Sequence, residues 1–494
     1  MGQFISLALP PGVYRQGTDL QSAGRYRDAN LVRWTEGTLQ PMGGWRVRAA
    51  AGSSGVLGRG RAVIAWRDNA GTVRAAVGTH TGLCVVSTTG TVTDITPSGF
   101  TPGSADATFG GGYGAGPYGA ESYGTPRLNS AVTQPCSMWS LDTFGQNLIG
   151  VMQTDGDIVE WTLNPANDAV AVANAPSARA VLVTDERIVF ALGAGANPRS
   201  VAWSDQEDNT NWTPSATSYA GDIDLQTNGR IVGGRRVRGG ALIWTDTDVH
   251  LARFIGLPFV YGFERLGSGC GMVSANACVI VDDRAFWMSQ RGFFAYDGSV
   301  VELPCDVSDF VFSNINDGQI SKSTAMHIAQ FGEVWWFYPS TNSNEPDRYV
   351  VYNYKERHWN IGTINRLAGC DAGEFLFPLM VASNGAVYDH EVGFGYDGAV
   401  RYAQTGPILL GTGDRVMKCV RYAPDERTTG QVETTFTLTD FQGSPTQTVG
   451  PFGSEQPTPV RFTARQIEAR YTGTANASWR VGAPRLEVMA GGKR

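Results

Sequence analysis

The sequence carries little charge, and little of its positive charge is lysine. Asp, Glu, Lys and Arg make up 17% of the 494 residues, four residues are lysine, and the net charge is −7. A protein that grips nucleic acid through its phosphates needs a concentrated Lys/Arg surface. The composition therefore argues against a basic nucleic-acid binder.

Three further features are missing. The seven cysteines are scattered without a C-x-x-C pair, and the five histidines lie too far apart for a sequence-local zinc site. No apolar run approaches the ~20 residues of a membrane span, and residues 1–10 lack the basic and apolar regions of a secretory signal. We therefore expect reduced thiols, synthesis in a cytoplasm and no membrane insertion by this chain.

Catalytic signatures are also missing. The sequence contains neither a G-x-S-x-G elbow, an H-E-x-x-H pair nor a phosphate-binding P-loop. A lone G-x-G-x-x-G match within 109–119 has no strand before it and no helix after it, so it predicts no dinucleotide site. We expect no enzyme, no catalytic residues, no cofactor and no metal.

What the sequence does contain is glycine, at 62 residues, and a repeated pattern of short apolar runs between turn signals. Between residues 61 and 95, four runs of about five residues alternate with tight turns, which is the content of one propeller blade. Comparable turns recur at intervals near one or two multiples of ~45 residues. The pattern predicts an all-β protein with a β-propeller-like domain of six or seven degenerate blades; a pair of irregular sandwiches is the alternative.

The composition and periodicity of the sequence change twice along the chain. Residues 1–50 are rich in Gly, Pro and Arg and predict an extended N-terminal arm with one short strand near Leu31 to Trp34. Residues 51–404 form the predicted propeller, interrupted by a Gly/Tyr-rich insertion at about 107–125. Residues 405–494 alternate in polarity without a helical period, which predicts a small β-sandwich-like domain whose last strand lies at 479–481.

Two other segments raise the question of function. An Asp/Ser-rich loop at 204–214 superficially resembles the Asp-containing turns of sialidase-like propellers, but it is better explained as a structural loop closed by a buried Trp212. The aromatic stretch at 333–338 is better explained as core than as a carbohydrate platform. The Gly/Tyr insertion is equally consistent with a flexible linker and with an ordered segment that contacts a neighbouring subunit.

A set of short motifs, in this order along the chain, resembles a known family. These are PPGVYRQGT at 10–18, GRYRDANLVRW at 24–34, PMGGW at 41–45, AVGTH at 76–80, DITP at 94–97, the Gly/Tyr insertion, VAWSD at 201–205, WTP at 212–214, FWM at 286–288, YDG at 296–298, EVWWFY at 333–338 and WRVG at 479–482. Together they resemble the tail nozzle, or packaged-DNA stabilisation, proteins of short-tailed bacteriophages. The likeness spans almost the whole chain.

That resemblance implies a structural virion protein without catalytic residues. It implies a ring, a hexamer in the family, below the portal and its adaptor protein in the virion tail, next to tail fibre or needle proteins. The ring would retain packaged double-stranded DNA and later let it pass. A closed ring with one repeated contact is heterologous, and the candidate subunit-interface residues are Tyr14, Arg15, Trp34, Trp45, Tyr113, Tyr118 and Tyr123.

Two other functions stay open at this point. A receptor- or glycan-binding propeller on the tail periphery would need an exposed aromatic or acidic pocket. A glycan-cleaving enzyme would need two carboxylates at glycosidase spacing.

Overall fold

The computed structural model describes residues 2–52, 55–108, 134–411, 415–427, 430–441, 443–453 and 455–492. Most of the predicted Gly/Tyr insertion, including Tyr113, Tyr118 and Tyr123, lies outside these residues. Among them, strands dominate and helix is confined to short segments. No helix in this part of the chain is long and apolar enough to cross a membrane.

The N-terminal fifty residues contain more strands than the sequence predicts. They form β1 (Gln3–Ser6), a 3-10 helix (Asp19–Ser22), β2 (Tyr26–Asn30), β3 (Val32–Thr35), β4 (Thr38–Pro41) and β5 (Trp45–Ala49). Only β3 and β4 pair locally, whereas β1, β2 and β5 pair with strands more than 300 residues away. A local pattern cannot reveal such partners, which is why a single strand was predicted.

Seven four-stranded antiparallel sheets follow. Sheet 1 is β6 (Gly60–Arg67), β7 (Val73–Thr79), β8 (Gly82–Ser87) and β9 (Val92–Asp94). Sheet 2 is β10 (Trp139–Phe144), β11 (Asn147–Met152), β12 (Ile158–Trp161) and β13 (Val170–Ala171). Sheet 3 is β14 (Ala180–Val183), β15 (Val189–Leu192), β16 (Ser200–Trp203) and β17 (Gly221–Asp224). Sheet 4 is β18 (Ile231–Val237), β19 (Gly240–Thr245), β20 (Asp248–Gly256) and β21 (Val260–Ser268).

The remaining sheets complete the series. Sheet 5 is β22 (Cys278–Val281), β23 (Arg284–Met288), β24 (Phe293–Tyr296) and β25 (Val300–Glu302), followed by helix α1 (Ser308–Asn314) and a 3-10 helix (Asp317–Lys322). Sheet 6 is β26 (Thr324–Ile328), β27 (Glu333–Tyr338), β28 (Arg348–Asn353) and β29 (His358–Thr363). Sheet 7 is β30 (Ala368–Cys370), β31 (Leu379–Val381), β32 (Val387–His390) and the distant β5.

The first strands of the seven sheets form a closed ring. Each contacts the first strand of the next sheet, and β6 of sheet 1 contacts both β10 and β30, so the last sheet returns to the first. This order and closure define a seven-bladed β-propeller, which confirms the predicted fold class. Strand β5 closes the ring as the outer strand of sheet 7, where Trp45 lies opposite His390.

The two faces of the propeller have different loops. On one, which we call the turn face, lie the turns that join the first strand of each sheet to the second and the third to the fourth. On the other, which we call the crossover face, the chain enters each sheet and the second strand turns into the third.

A two-sheet sandwich completes the fold. Its own strands are β33 (Arg401–Thr405), β34 (Ile408–Leu409), β35 (Met417–Ala423), β36 (Val432–Thr439), β37 (Gln447–Phe452), β38 (Thr458–Ala464), β39 (Gln466–Gly473) and β40 (Arg485–Ala490). One sheet has the order β1-β40-β35-β38, and the other β2-β33-β39-β36-β37 with β34 beside β39. Alternate residues of β38 are buried, as expected for a strand with one face on a core.

The arm joins the propeller to the sandwich. Strands β1 and β2 each add a strand to a different sandwich sheet, while β2 also contacts β29 of sheet 6. The largest cluster of buried hydrophobic residues crosses this junction, with members such as Trp34, Trp287, Trp336, Trp359 and Phe436. Arm, propeller and sandwich therefore share one core.

Candidate functional site

A small cavity lies in the central channel of the propeller, against the inner strands of sheets 1 to 5. Its volume is about 340 Å³, which lies at the lower end of the range for small-molecule sites. Residues from the inner strands line it and are mostly aliphatic, with four polar exceptions: Asp142, Arg235, Arg236 and Asn276.

Asn276 closes the channel at the crossover face. Its Nδ2 donates hydrogen bonds to the carbonyl oxygens of Arg61 at 3.0 Å and Trp139 at 2.9 Å. The Arg235 guanidinium donates to the Asn276 Oδ1 at 3.0 Å and to the Ala275 carbonyl at 3.0 Å. One amide thus ties sheets 1, 2, 4 and 5 together at this end of the channel.

A buried ionic network lies next to that closure. Arg61 donates two hydrogen bonds to the Glu345 carboxylate, and Lys322, whose side chain is fully buried, pairs with both Glu345 and Asp106. Burial by itself would raise the pKa of Asp106, but the hydrogen bond and charge of Lys322 outweigh it and lower that pKa. Gln319 holds the neighbouring Ala107 backbone through hydrogen bonds of 3.0 and 2.8 Å. These contacts fix the chain where the Gly/Tyr insertion begins.

The turn face, in contrast, has an open cavity at the channel mouth. Its volume is about 620 Å³, and most of its lining is amide, hydroxyl and charged: Asn69, Thr143, Phe144, Gly145, Gln146, Asn147, Glu160, Val183, Thr184, Asp185, Arg187 and Arg236. Arg236 pairs with Asp142 at 3.3 Å, and the Asn147 amide donates to Glu160 at 2.8 Å. Such a lining is suited to a small polar ligand.

One arrangement on the propeller has the appearance of an acid–base site. His327 lies between Asp371, at 3.5 Å from its Nδ1, and the Tyr354 hydroxyl, at 3.1 Å from its Nε2. Burial lowers the pKa of His327 although Asp371 opposes the shift, so the imidazole is neutral near pH 7. Asp371 also accepts hydrogen bonds from the backbone of Ala329 and Ala372. The three side chains therefore link sheets 6 and 7, with no thiol or serine hydroxyl among these contacts to act as a nucleophile.

The cysteines and metal-ligating residues offer little for chemistry. Burial raises the pKa of Cys84, Cys278 and Cys370 to about 12, so these thiols stay protonated and are poor nucleophiles. The described part of the chain contains no group of three or more His, Cys, Asp or Glu side chains that could hold a metal ion.

The two segments considered from sequence have structural roles. Asp205 accepts hydrogen bonds from the backbone of Gln206 and Tyr219 and from the Asn211 amide, so its carboxylate organises its own loop. Trp212, predicted to be buried, is only half-buried. All six residues of β27 are buried, which confirms the prediction of core for the aromatic stretch.

The candidate interface residues in the arm are engaged within their own chain. Trp34 is 1% exposed and packs on Tyr26, with ring centroids 4.9 Å apart, so its ring leaves no surface for a second subunit. Arg15 pairs with Asp28 and lies over Phe310. Trp45 donates its indole N–H to Asp397. The half-buried Tyr14 lies near Arg25, with 5.4 Å between ring centroid and guanidinium carbon.

One exposed apolar surface was not predicted from the sequence. Strands β20 and β21 continue as a two-stranded ribbon past the end of β19, from Arg253 to Gly262. Its tip has four exposed hydrophobic residues: Phe254 (37% exposed), Ile255 (57%), Leu257 (45%) and Phe259 (75%). A run of large apolar residues normally indicates a buried strand, so the sequence pattern does not predict an exposed hairpin here. The one available signal was its Gly256-Leu257-Pro258 turn inside the apolar run.

No family model matches the chain, and no curated protein does. Solved β-propeller structures do resemble it. Virginiamycin B lyase from Staphylococcus aureus aligns over 70% of this chain and 99% of its own, at 7% identity and a TM-score of 0.42. BamB from Moraxella catarrhalis aligns over 73% and 95%, at 12% identity and a TM-score of 0.36. YCF48 bound to D1 peptide aligns over 71% and 97%, at 8% identity and a TM-score of 0.36. Sequence identities and TM-scores this low do not allow a function to be assigned to this chain from these structures. The fold assignment rests on the order and closure of the sheets.

Proposed function

We propose that this propeller protein is a non-enzymatic subunit of the tail nozzle of a short-tailed bacteriophage. The motifs in the sequence suggest the family, and the mechanical construction of the chain is the structural observation that supports the role. Packaged DNA exerts pressure on whatever closes the tail, so a nozzle subunit must resist deformation. A chain whose propeller and sandwich share one core suits that demand.

The arm supplies a buried, charge-paired joint in this construction. Arg33 forms two hydrogen bonds with Glu333 of sheet 6, both at 3.0 Å, and two with Glu391, at 2.9 and 2.6 Å. All three side chains are less than a tenth exposed. Paired, fork-shaped contacts of this kind fix geometry as well as adding energy. The arm is thereby held to two successive parts of the propeller.

The size of the propeller channel bears on how DNA would pass. The major groove of a DNA duplex alone is ~12 Å wide, whereas the cavity in the channel has a volume of only about 340 Å³ and Asn276 bridges sheets 1 and 2 at one end of it. DNA would therefore pass through an opening between subunits, as in the proposed hexameric ring. A net charge of −7 suits such an opening, because each phosphate held by Arg or Lys adds affinity and would slow transit.

The proposed setting is the virion tail, after synthesis in the host cytoplasm. The ring would contact the portal adaptor on one side and tail fibre or needle proteins on the other. An arginine-lined wall in a symmetric tail reconstruction would contradict the proposed weakly repulsive channel.

One observation favours a second candidate function. The mouth cavity on the turn face combines amides, carboxylates and Phe144, which are the groups that contact sugars in many binding sites. A receptor- or glycan-binding propeller on the tail periphery would use this cavity directly.

Immunogold electron microscopy of intact particles separates the two, with antibody raised against residues 405–494. Label confined to the axial tail below the head is the outcome that we expect. Label on peripheral fibres, together with glycan-array binding that is lost in Glu160→Gln, would replace the nozzle by the receptor-binding function.

A further inference from the structure

The ribbon of sheet 4 projects from the turn face. Residues Arg253 to Gly256 pair only with β21, so at ~3.3 Å per residue the ribbon extends roughly 13 Å past the end of β19. Its base is rigid, because the ring of Tyr261 packs on Phe190 and Phe254 while its hydroxyl contacts Thr184 at 3.0 Å. Val260 has a φ of 59°, a conformation that β-branched residues rarely adopt. The protruding apolar tip is thus built into the fold.

The crossover face carries a cavity of complementary character. It lies beside sheet 1 and has a volume of about 330 Å³, with apolar walls from Leu57, Leu83, Cys84 and Val92 and with threonines among its other lining residues. Leu57 at its margin is itself 62% exposed. An apolar protein cavity of ~150 Å³ holds a benzene molecule. The cavity therefore has room for the ring of Phe259 and the side chain of Leu257.

The tip cannot fill this cavity within its own chain. Sheet 1 adjoins sheets 2 and 7, whereas sheet 4 adjoins sheets 3 and 5, and the tip and the cavity lie on opposite faces. Charges at the two places are complementary: Arg253 at the base of the tip is more than half exposed, and its contact with Glu264 is 4.0 Å long. Asp94 at the cavity margin is exposed.

We propose that the apolar tip of β20–β21 inserts into the sheet 1 cavity of a second copy of this chain. The contact joins two different surfaces, so it is heterologous and propagates from copy to copy. In the proposed nozzle the rotation between copies divides a full turn, so the contact closes into a ring of fixed size. The proposal deepens the proposed function by naming the surfaces that would join nozzle subunits, but the contact itself is testable without a virion.

Engineered cysteines test the contact directly. Chains carrying Leu57→Cys and chains carrying Phe259→Cys, both in a Cys84→Ser background because Cys84 is part of the cavity wall, are co-expressed with different tags, and each is also expressed alone. The other native thiols interfere little, because burial raises the pKa of those for which a shift is resolved. We expect a disulfide-linked pair of differently tagged chains and little cross-linking in either variant alone. No cross-link in the mixture, or an equally efficient one in Phe259→Cys alone, would overturn the proposal.

Removing the tip supplies the second measurement. Light scattering after gel filtration should show a discrete oligomer for the native chain and monomer mass for the Leu257→Ser/Phe259→Ser variant. Val170→Ser, which removes a 68% exposed apolar residue from sheet 2, should keep the oligomer. A native chain that stays monomeric, or a tip variant with native mass, contradicts the contact. Loss of binding to phosphatidylethanolamine/phosphatidylglycerol vesicles by a tip variant of native mass would instead assign the tip to a membrane.

These results are separable from those on the nozzle. Axial immunogold label, together with a tip variant that has the same oligomeric mass as the native chain, supports the nozzle function and rejects the contact. Peripheral label, together with an oligomer that the tip variant does not form, rejects the nozzle function and supports the contact.

Discussion

The N-terminal arm and the hairpin of sheet 4 both depart from the regular propeller, in opposite ways. Strand β3 of the arm is mostly buried, and its Arg33 is paired with Glu333 and Glu391. The hairpin tip is exposed and apolar, and Phe259 is 75% exposed. Separating the partners of a buried ion pair costs free energy, so such pairs hold parts of one chain together. Exposed apolar side chains favour association with another surface, because binding removes them from water. We infer that the arm serves the integrity of the subunit and the hairpin its contacts.

The largest effect on stability is expected from Arg33→Met. Burial raises the pKa of Glu333, and the neighbouring Glu391 adds to this shift while Arg33 opposes it. Without the guanidinium, two carboxylates remain in the interior with no counterion, and loss of one partner from a buried pair typically costs about 3–5 kcal/mol. Urea denaturation should show a correspondingly lower midpoint.

The matched control removes an exposed ion pair. Arg187 and Glu207 are 3.6 Å apart and both are more than half exposed, so Arg187→Gln should change the free energy of unfolding by less than about 1 kcal/mol. Equal losses in the two variants would mean that the arm contributes no more than a surface charge.

A smaller, pH-dependent effect is expected at His358, which contacts the arm through Trp34. Burial lowers its pKa to about 4, with Glu356 opposing, whereas the unfolded value is ~6.5. The unfolded chain therefore binds a proton that the folded chain does not, so stability is fully present above about pH 6.5 and falls as the pH drops toward about 4. Between about pH 7.5 and pH 5 this group should contribute a loss of about 2 kcal/mol.

His358→Gln should flatten that dependence in urea titrations at the two pH values. Part of it should persist, because burial also lowers the pKa of His390 well below its ordinary value. An unchanged pH dependence in the variant would place the acid sensitivity elsewhere.

The smallest effect on folding is expected for the hairpin tip. Leu257→Ser/Phe259→Ser removes side chains that are already exposed, so the monomer's free energy of unfolding should change by no more than about 0.5 kcal/mol. Thermal unfolding at low protein concentration measures this separately from assembly. A loss as large as that of Arg33→Met would mean that the tip supports its own chain, and the contrast with the arm would fail.

Local pairing explains which parts of the fold the sequence predicted. Hairpins such as β7–β8 and β31–β32 have apolar runs on both sides of a tight turn, so pattern and turn signals agree. Strand β10 was missed because it follows the long insertion and lacks a turn signal before it. A strand was predicted at 479–481, but the regular strand is β40, Arg485–Ala490.

Long-range pairing explains most of what the sequence did not predict. The pairing of β5 with β32 and of β1 with β40 joins residues at opposite ends of the chain, and neither strand has a local partner that would mark it. Trp34 was expected at a subunit contact because an aromatic residue in a Gly/Pro/Arg-rich arm has no visible local core. The channel closure could not be predicted either, since Asn276 acts through the backbone of Arg61 and Trp139.

The closure of sheet 7 by β5 imposes an order on biosynthesis. Trp45 leaves the ribosome long before His390, its partner, and at ~5–20 residues per second the interval is on the order of 20–70 s. During that time the edge of β5 is an unpaired template for other chains. A nascent polypeptide of this kind is expected to depend on chaperones that hold its first fifty residues until translation is nearly complete.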